Sequence, residues 1–353
     1  MAKRRLIPVI LVAGFLGSGK TTLLNHLLRN NRGVRIGVVV NDFGSVNIDS
    51  MMVAGQVDSM VSLSNGCLCC AVDVSEMDEM LDRLAHPRSN IDVIVVEASG
   101  LAEPRNMVRM ILGSENPHIG YGGLVVTVDA AEFEDSRARH PELDLHVRMA
   151  DLVVLNKIDR VSDAERDRVV AVVAGLNDRA PVLCTEHGRI DPRLLFDEAV
   201  RADDGPRQLS LDELLTETTD GDCHDHDHDC ADHAHLHDGY DSVSYVGERP
   251  MDPRALIAFL ENRPPGLYRV KGFVHFAAAG HRQKYLLQAV GPHIRFERVG
   301  WARGEPRTTT LVLIGWGIDT DAVERRLEAC TAVQGHESGA EAMTGVHRYV
   351  VSN

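Results

Sequence analysis

The chain has 353 residues, 44% hydrophobic and 25% charged, long enough for two domains with sizeable cores. A net charge of -15 argues against nucleic acid or an anionic membrane surface as the main partner, since both call for a basic face. Seven cysteines in uneven groups do not make a disulfide framework, so the expected home is the cytosol, with the thiols as ligands rather than staples.

The apolar run Ile7 to Ala13 predicts a buried strand, and the pattern from Thr21 to Asn30 predicts an amphipathic helix. Between them stands Gly14-Phe15-Leu16-Gly17-Ser18-Gly19-Lys20-Thr21, which fits G-x-x-x-x-G-K-[ST] at every fixed position. Lys3-Arg4-Arg5 ahead of the apolar run imitates a secretory leader. Cleavage there would destroy this loop, so the leader reading is set aside. Glycines in such a loop let backbone N–H groups turn onto phosphates, and the helix N-terminus adds its positive end. Gly14, Gly17, Ser18, Gly19, Lys20, Thr21 and Thr22 are the expected nucleotide contacts; Lys20 would reach the β- and γ-phosphates, and the Thr21 hydroxyl would bind magnesium.

Val34 to Val40 predicts a second buried strand, ending in the polar turn Asn41-Asp42-Phe43-Gly44. A strand-like stretch from Gln56 to Ser64 leads to Cys67-Leu68-Cys69-Cys70, and a helix is expected from Val74 to Leu84. Three thiols in four residues are soft donors for zinc, cobalt or copper. No second pair has zinc-finger spacing, so the site reads as open, completed by a residue such as Asp42 or His118. Ile91 to Val96 is a β-branched strand with Glu97-Ala98-Ser99-Gly100 at its end. Glu97 there would hold magnesium through water or position the attacking water, and the Gly100 N–H would sense the γ-phosphate; the bland alternative is a helix cap. Further strands are expected at Gly123 to Val128, Leu152 to Leu155 and Val182 to Cys184, with helices at Asp163 to Leu176 and Pro192 to Val200. Asn156-Lys157-Ile158-Asp159 follows one of these strands. In N-K-x-D the Asp accepts from guanine N1–H and the amino group while the Lys stem packs along the base, so GTP is the expected nucleotide; Cys184-Thr185 would add backbone contacts.

Alternating strands and helices imply an α/β fold, a mostly parallel sheet with helices on both faces, over residues 1–201. Periodicity then fades over 202–249, apart from a short helical pattern near Leu211 to Leu215. Within it, Asp222 to Asp238 holds six histidines, six aspartates and two cysteines in seventeen residues. His224, His226, His228, His233, His235 and His237 are weak metal-capture candidates, against the plainer reading of a solvated spacer. Residues 250–353 predict a helix at Pro253 to Leu260, four strands and a helix at Asp321 to Cys330, a smaller α+β domain.

GFLGSGKTT, NDFG, GCLCC, EASGLAEP and NKID, in that order, resemble the CobW-like GTPases of the SIMIBI phosphate-loop class. This family includes cobalamin-synthesis, zinc metallochaperone and nitrile hydratase activator members. The resemblance covers the whole chain, with VKGFVHF and LVLIGWG similar to the family's C-terminal domain. It implies slow, metal-modulated GTP hydrolysis, a divalent metal held at Cys67, Cys69 and Cys70, and transfer to a client protein. Zinc is the expected cargo. Cobalt delivery and histidine-based zinc storage are the rivals, and the oligomeric state stays open. Two positions depart from the family pattern: Asn41-Asp42-Phe43-Gly44-Ser45 stands where N-E-F-G-E is usual, and Trp316 replaces a charged residue, which predicts an altered C-terminal client surface.

Overall fold

The computed structural model describes residues 6–40, 59–62, 74–100, 103–197, 240–333 and 339–351. The N-terminal part is built on β1 (Ile7–Gly14), β2 (Ile36–Val40), β3 (Ser59–Ser62), β4 (Val93–Glu97), β5 (Ile119–Asp129), β6 (Leu152–Asn156) and β7 (Val182–Thr185). These stand in the order β3-β2-β4-β1-β5-β6-β7, and every neighbouring pair is parallel. Parallel neighbours need crossovers, supplied by α1 (Lys20–Arg29), α2 (Val74–Ala85), α3 (Pro104–Gly113), α4 (Phe133–Arg139), α5 (Glu142–Met149) and α6 (Asp163–Leu176). Layers on both faces explain why β1, β4 and β6 are almost wholly apolar and buried rather than alternating. With all strands parallel, their C-terminal ends share one edge, and the phosphate-loop, Glu97 and N-K-x-D motifs lie there.

One face carries Met77 and Leu81 of α2, Met107 and Ile111 of α3, Phe133, Val147, Val169 and Val173. On the other face, α1 buries Leu23, Leu24, Leu27 and Leu28, each worth about 1.5–3 kcal/mol by burial. That second core is completed from far along the chain by Tyr268, Val290 and Ile314. These belong to an antiparallel sheet ordered β11-β10-β9-β12-β8, made of β8 (Asp241–Gly247), β9 (Leu267–Val274), β10 (Lys284–Val290), β11 (His293–Val299) and β12 (Thr309–Gly315). Helices α7 (Pro253–Glu261), α8 (Thr320–Glu328) and α9 (Thr344–His347) contribute to its own core with Leu256, Leu260, Val323 and Val346. Asp252 and Asp319 start α7 and α8 by accepting from the N–H groups of Ala255 (2.8 Å) and Ala322 (2.9 Å).

The two parts meet around Asp151, whose carboxylate is buried at the foot of β6. Its Oδ2 accepts from the Tyr121 hydroxyl (2.5 Å) and the Leu124 N–H (2.8 Å). His293 of β11 packs its ring 4.4 Å from that of Tyr121, and the Gly291 backbone lies against Asp151. Burial raises the Asp151 pKa, lowers that of His293, and pushes the Arg263 guanidinium down to about 10. Asp197 adds ion pairs to Arg269 (3.0 Å) and Lys271 across the same boundary.

Two expectations need correction. The expected linker 202–249 ends too late, because Asp241–Gly247 is an edge strand paired with β12. Of the helix expected at Pro192 to Val200, the described part to Asp197 is a single 3-10 turn, Pro192–Leu194, and the rest lies outside the described residues. Leu194, Leu195 and Phe196 are all buried in the α1-side core, and a helix cannot bury three consecutive side chains on one face. Trp316 packs half-buried against that same core, at the join of the two parts. The helical pattern near Leu211 to Leu215 lies outside the described residues, as does the stretch from Asp222 to Asp238.

Candidate functional site

β1 ends at the centre of the sheet, and its register decides what surrounds the phosphate loop. Val12 pairs with Glu97 of β4, and Gly14 pairs with Thr127 of β5. Thr127 is buried, donates to the Ala13 carbonyl (3.2 Å) and shares a 2.6 Å hydrogen bond with the Ser18 hydroxyl. Asn156 supports the loop from its other side, donating from Nδ2 to the Ser18 carbonyl (3.0 Å). Lys20 Nζ reaches back to the carbonyls of Gly14 (3.1 Å) and Phe15 (3.2 Å), which holds the ammonium over the loop. Gly19 caps α1 with no side-chain hydrogen bond to the first turn, whose N–H groups face the loop. A preformed cradle of amides with one lysine suits a polyphosphate.

Thr21 sits in the first turn of α1, and its hydroxyl donates to Glu97 Oε1 at 2.7 Å. Glu97 is buried and bonds the phosphate-loop threonine, while α3 begins at Glu103 without a side-chain cap, so the capping alternative for Glu97 falls away. A hydroxyl and a carboxylate are hard oxygen donors, the chemistry magnesium selects. Gly100 closes the group: a Cβ there would come within 2.8 Å of the Leu16 nitrogen, so the glycine lets the chain after β4 touch the loop. Thr22 is exposed on α1.

At the end of β6, Asn156 is buried and its Oδ1 accepts from the Gly188 N–H (2.9 Å), tying the Thr185 to Gly188 loop to the phosphate loop through one amide. The Thr185 hydroxyl fixes that loop by donating to the Arg189 carbonyl (2.5 Å). Lys157 takes a left-handed conformation (φ 63) and pairs with Asp129 at 2.7 Å, and Asp159 is exposed in the adjoining turn. Burial raises the pKa of the neighbouring Cys184 thiol. We expect Asp159→Asn to weaken GTP about tenfold or more while improving xanthosine triphosphate, whose C2 carbonyl accepts from the new amide. Competition titration of the two nucleotides checks this, and an unmoved affinity ratio removes Asp159 from base reading.

The structure thus brings Gly14 to Thr21, Glu97, Gly100, Asn156, Lys157 and Asp159 to one sheet edge. Thr127 is the site residue missed by sequence reasoning. It sits inside an apolar strand, and only the pairing of β5 with β1 reveals it. Asp42, Cys67, Cys69, Cys70 and the six tract histidines lie outside the described residues. Among the described residues no group of three or more His, Cys, Asp or Glu is placed to hold a metal. His118 precedes β5 at the sheet edge opposite the phosphate loop, its carbonyl accepting from the Ile7 N–H.

A doubly wound parallel sheet with this loop, a strand-end acid and an N-K-x-D turn defines a phosphate-loop nucleotide-binding protein of the GTPase class. Comparison with known proteins narrows the class. Residues 8–184 match the nucleotide-binding domain of the CobW/HypB/UreG family, and residues 240–331 match the cobalamin synthesis protein cobW C-terminal domain. The chain is 32% identical over 366 residues to the zinc chaperone CobW of Pseudomonas aeruginosa, covering 92% of each protein. It is 35% identical over 195 residues to the zinc chaperone YjiA of Escherichia coli, covering 54% of this chain and 61% of YjiA. The crystal structure of Zn(II)-bound YjiA aligns with 93% of this chain at 21% identity and a TM-score of 0.43. The chain belongs to the CobW family of phosphate-loop GTPases.

Proposed function

We propose that this chain is a cytosolic, GTP-hydrolysing metallochaperone that loads zinc at Cys67, Cys69 and Cys70 and passes it to a client protein. The observation that carries this reading is a matter of strand ends. Val40 pairs with both Glu97 and Ser62, so β2, β3 and β4 finish together at the nucleotide edge. Asp42 follows Val40 by two residues in the sequence and Cys67 follows Ser62 by five; β2 adjoins β4, whose Glu97 bonds Thr21, and β3 stands one strand further out. A change at the γ-phosphate would then reach these strand ends through β4 and β2, as a two-state switch requires. The names of the relatives, zinc chaperones, favour zinc over cobalt.

The chain's own residues supply positioning and charge. Lys20 would neutralise the β- and γ-phosphates, the loop amides would orient them, and Thr21 with Glu97 would hold magnesium. Magnesium, when bound with the nucleotide, supplies further charge neutralisation between the phosphates. Water would be the acceptor of the γ-phosphoryl group, with catalysis by positioning and charge stabilisation, and we expect basal turnover to be slow. The tract from His224 to His237 would capture zinc weakly ahead of the cysteine site.

Replacing Cys67, Cys69 and Cys70 together by serine tests the proposal. GTP affinity of the wild type should change about 5- to 150-fold between zero and saturating zinc, the span of typical allosteric coupling. In the triple variant GTP should still bind and the zinc response should vanish, because a neutral hydroxyl is a hard, weak ligand where a thiolate is soft and charged. A variant with its full response would move the coupled site to the histidine tract. A wild type deaf to zinc and to cobalt would end the metallochaperone reading.

A further inference from the structure

Behind the phosphate loop, on the side of α4 and α5, lies a cavity of about 330 Å³. Its size falls at the lower end of the roughly 300–1,000 Å³ typical of small-molecule sites. Gly14 to Ser18 form one wall, and Val128, Phe133, Leu143 and Val147 form an apolar interior. His146 belongs to the lining and is buried, yet its Nδ1 makes no hydrogen bond. Burial lowers the pKa of that imidazole, so it stands neutral and can donate or accept one hydrogen bond. Around the same cavity stand three cations, Arg139, Lys157 and Arg160, against two acids, Asp129 and Glu132. Asp129 is already engaged by Lys157 at 2.7 Å and by Arg160 at 3.8 Å. The exposed Arg139 adds a positive charge to the rim, its Nε donating to a carbonyl of its own helix, that of Asp135.

An apolar body, a hydrogen-bonding imidazole inside and excess positive charge outside describe one chemical class. We propose that this cavity is a second ligand site, adjoining the nucleotide site and sharing the phosphate loop and Lys157 with it, that takes a small aromatic carboxylate bearing a ring hydroxyl. The body fills the apolar interior, the hydroxyl satisfies His146, and the carboxylate lies at Arg139. Its occupancy alters GTP affinity, because the wall it presses on is the phosphate loop. Phe15 rests its ring 4.8 Å from His140, and Leu16 lies against Gly100, so the loop tip links the cavity to the γ-phosphate sensor.

The probe is 3-(4-hydroxyphenyl)propionate, titrated into full-length, nucleotide-free protein by calorimetry and ligand-observed NMR. It should bind once per chain. Affinity should fall about tenfold, equivalent to 1.4 kcal/mol, for 3-phenylpropionate and for the uncharged alcohol 3-(4-hydroxyphenyl)propanol. Val147→Trp fills the interior and should abolish binding. Arg139→Glu, an exposed position that leaves the core intact, should weaken the carboxylate and spare the alcohol. His146→Phe should erase the preference for the hydroxylated probe. Saturation with the probe should shift GTP affinity at least about fivefold, the lower end of typical coupling. No binding to the wild type, binding indifferent to both Val147→Trp and Arg139→Glu, or an unchanged GTP affinity would overturn the proposal. The first titration contains no nucleotide, so its failure leaves the GTPase reading untouched. A protein that binds the probe and not GTP would sink that reading alone.

Discussion

Gly19→Ala is expected to weaken GTP binding by at least about a hundredfold and leave the two sheets folded. Gly19 has φ 103, in the left-handed region, where a side chain adds about 1–3 kcal/mol of strain. A Cβ built there also overlaps the Asn156 amide, which ties Ser18 to Gly188. Displacing that buried amide leaves polar groups unpaired at about 1–3 kcal/mol each. The sum exceeds the 2.8 kcal/mol, roughly, that a hundredfold loss requires. Gly17→Ala separates the two causes, because its φ is 76 and nothing lies within 4 Å of the added Cβ. It should show the strain without the collision. Fluorescent GTP titration beside circular dichroism checks both, and equal losses in the two variants would remove Asn156 from the explanation.

Asp151→Ala is expected to destabilise the protein by about 2–4 kcal/mol, because the Tyr121 hydroxyl and the Leu124 N–H lose their shared buried acceptor. Thermal melting should move down by several degrees, and the loss should be felt at the join of the two parts. Asp151→Asn keeps an acceptor oxygen and removes the charge, and its behaviour follows from the direction of the pKa shift. Burial raises the folded-state pKa of Asp151 above the unfolded value, so protonation favours the folded state. That contribution is complete below the unfolded pKa of about 3.9 and is lost as pH rises through the folded value. The asparagine variant should lack this part of the pH dependence and hold its stability better than the wild type as pH rises. Melting curves for all three proteins from pH 4 to 8 measure it, and a parallel pH profile in Asp151→Asn would show that the titrating group is another.

Much of the molecule is legible in the amino-acid sequence alone. β1, β6 and the loop at Gly14 to Thr21 announce themselves because a strand buried on both faces is a continuous apolar run, and because phosphate chemistry fixes glycine spacing. β8 escapes sequence reasoning although its signal is plain: Val243, Tyr245 and Gly247 are buried while Ser242, Ser244 and Val246 are exposed, a strict period of two. The Asp/His tract just before it makes the whole stretch read as linker. The roles of Thr127 and Trp316 are beyond any local pattern. The threonine owes its place to Ser18, 109 residues away, and the tryptophan to a core assembled from both parts of the chain, and no short window of sequence encodes either.

The core beneath α1 draws Tyr268, Val290 and Ile314 from the C-terminal sheet, with Trp316 at its margin. Neither half of the chain therefore has a finished exterior of its own. Residues 6–197 expressed alone would present a greasy face where those side chains belong, and the complementary fragment would carry the matching one. Separate fragments should clump or find each other rather than behave as independent modules. Grafting the C-terminal half of a relative onto this GTPase would fail wherever the contact residues differ. Surface changes away from the seam are free of that constraint.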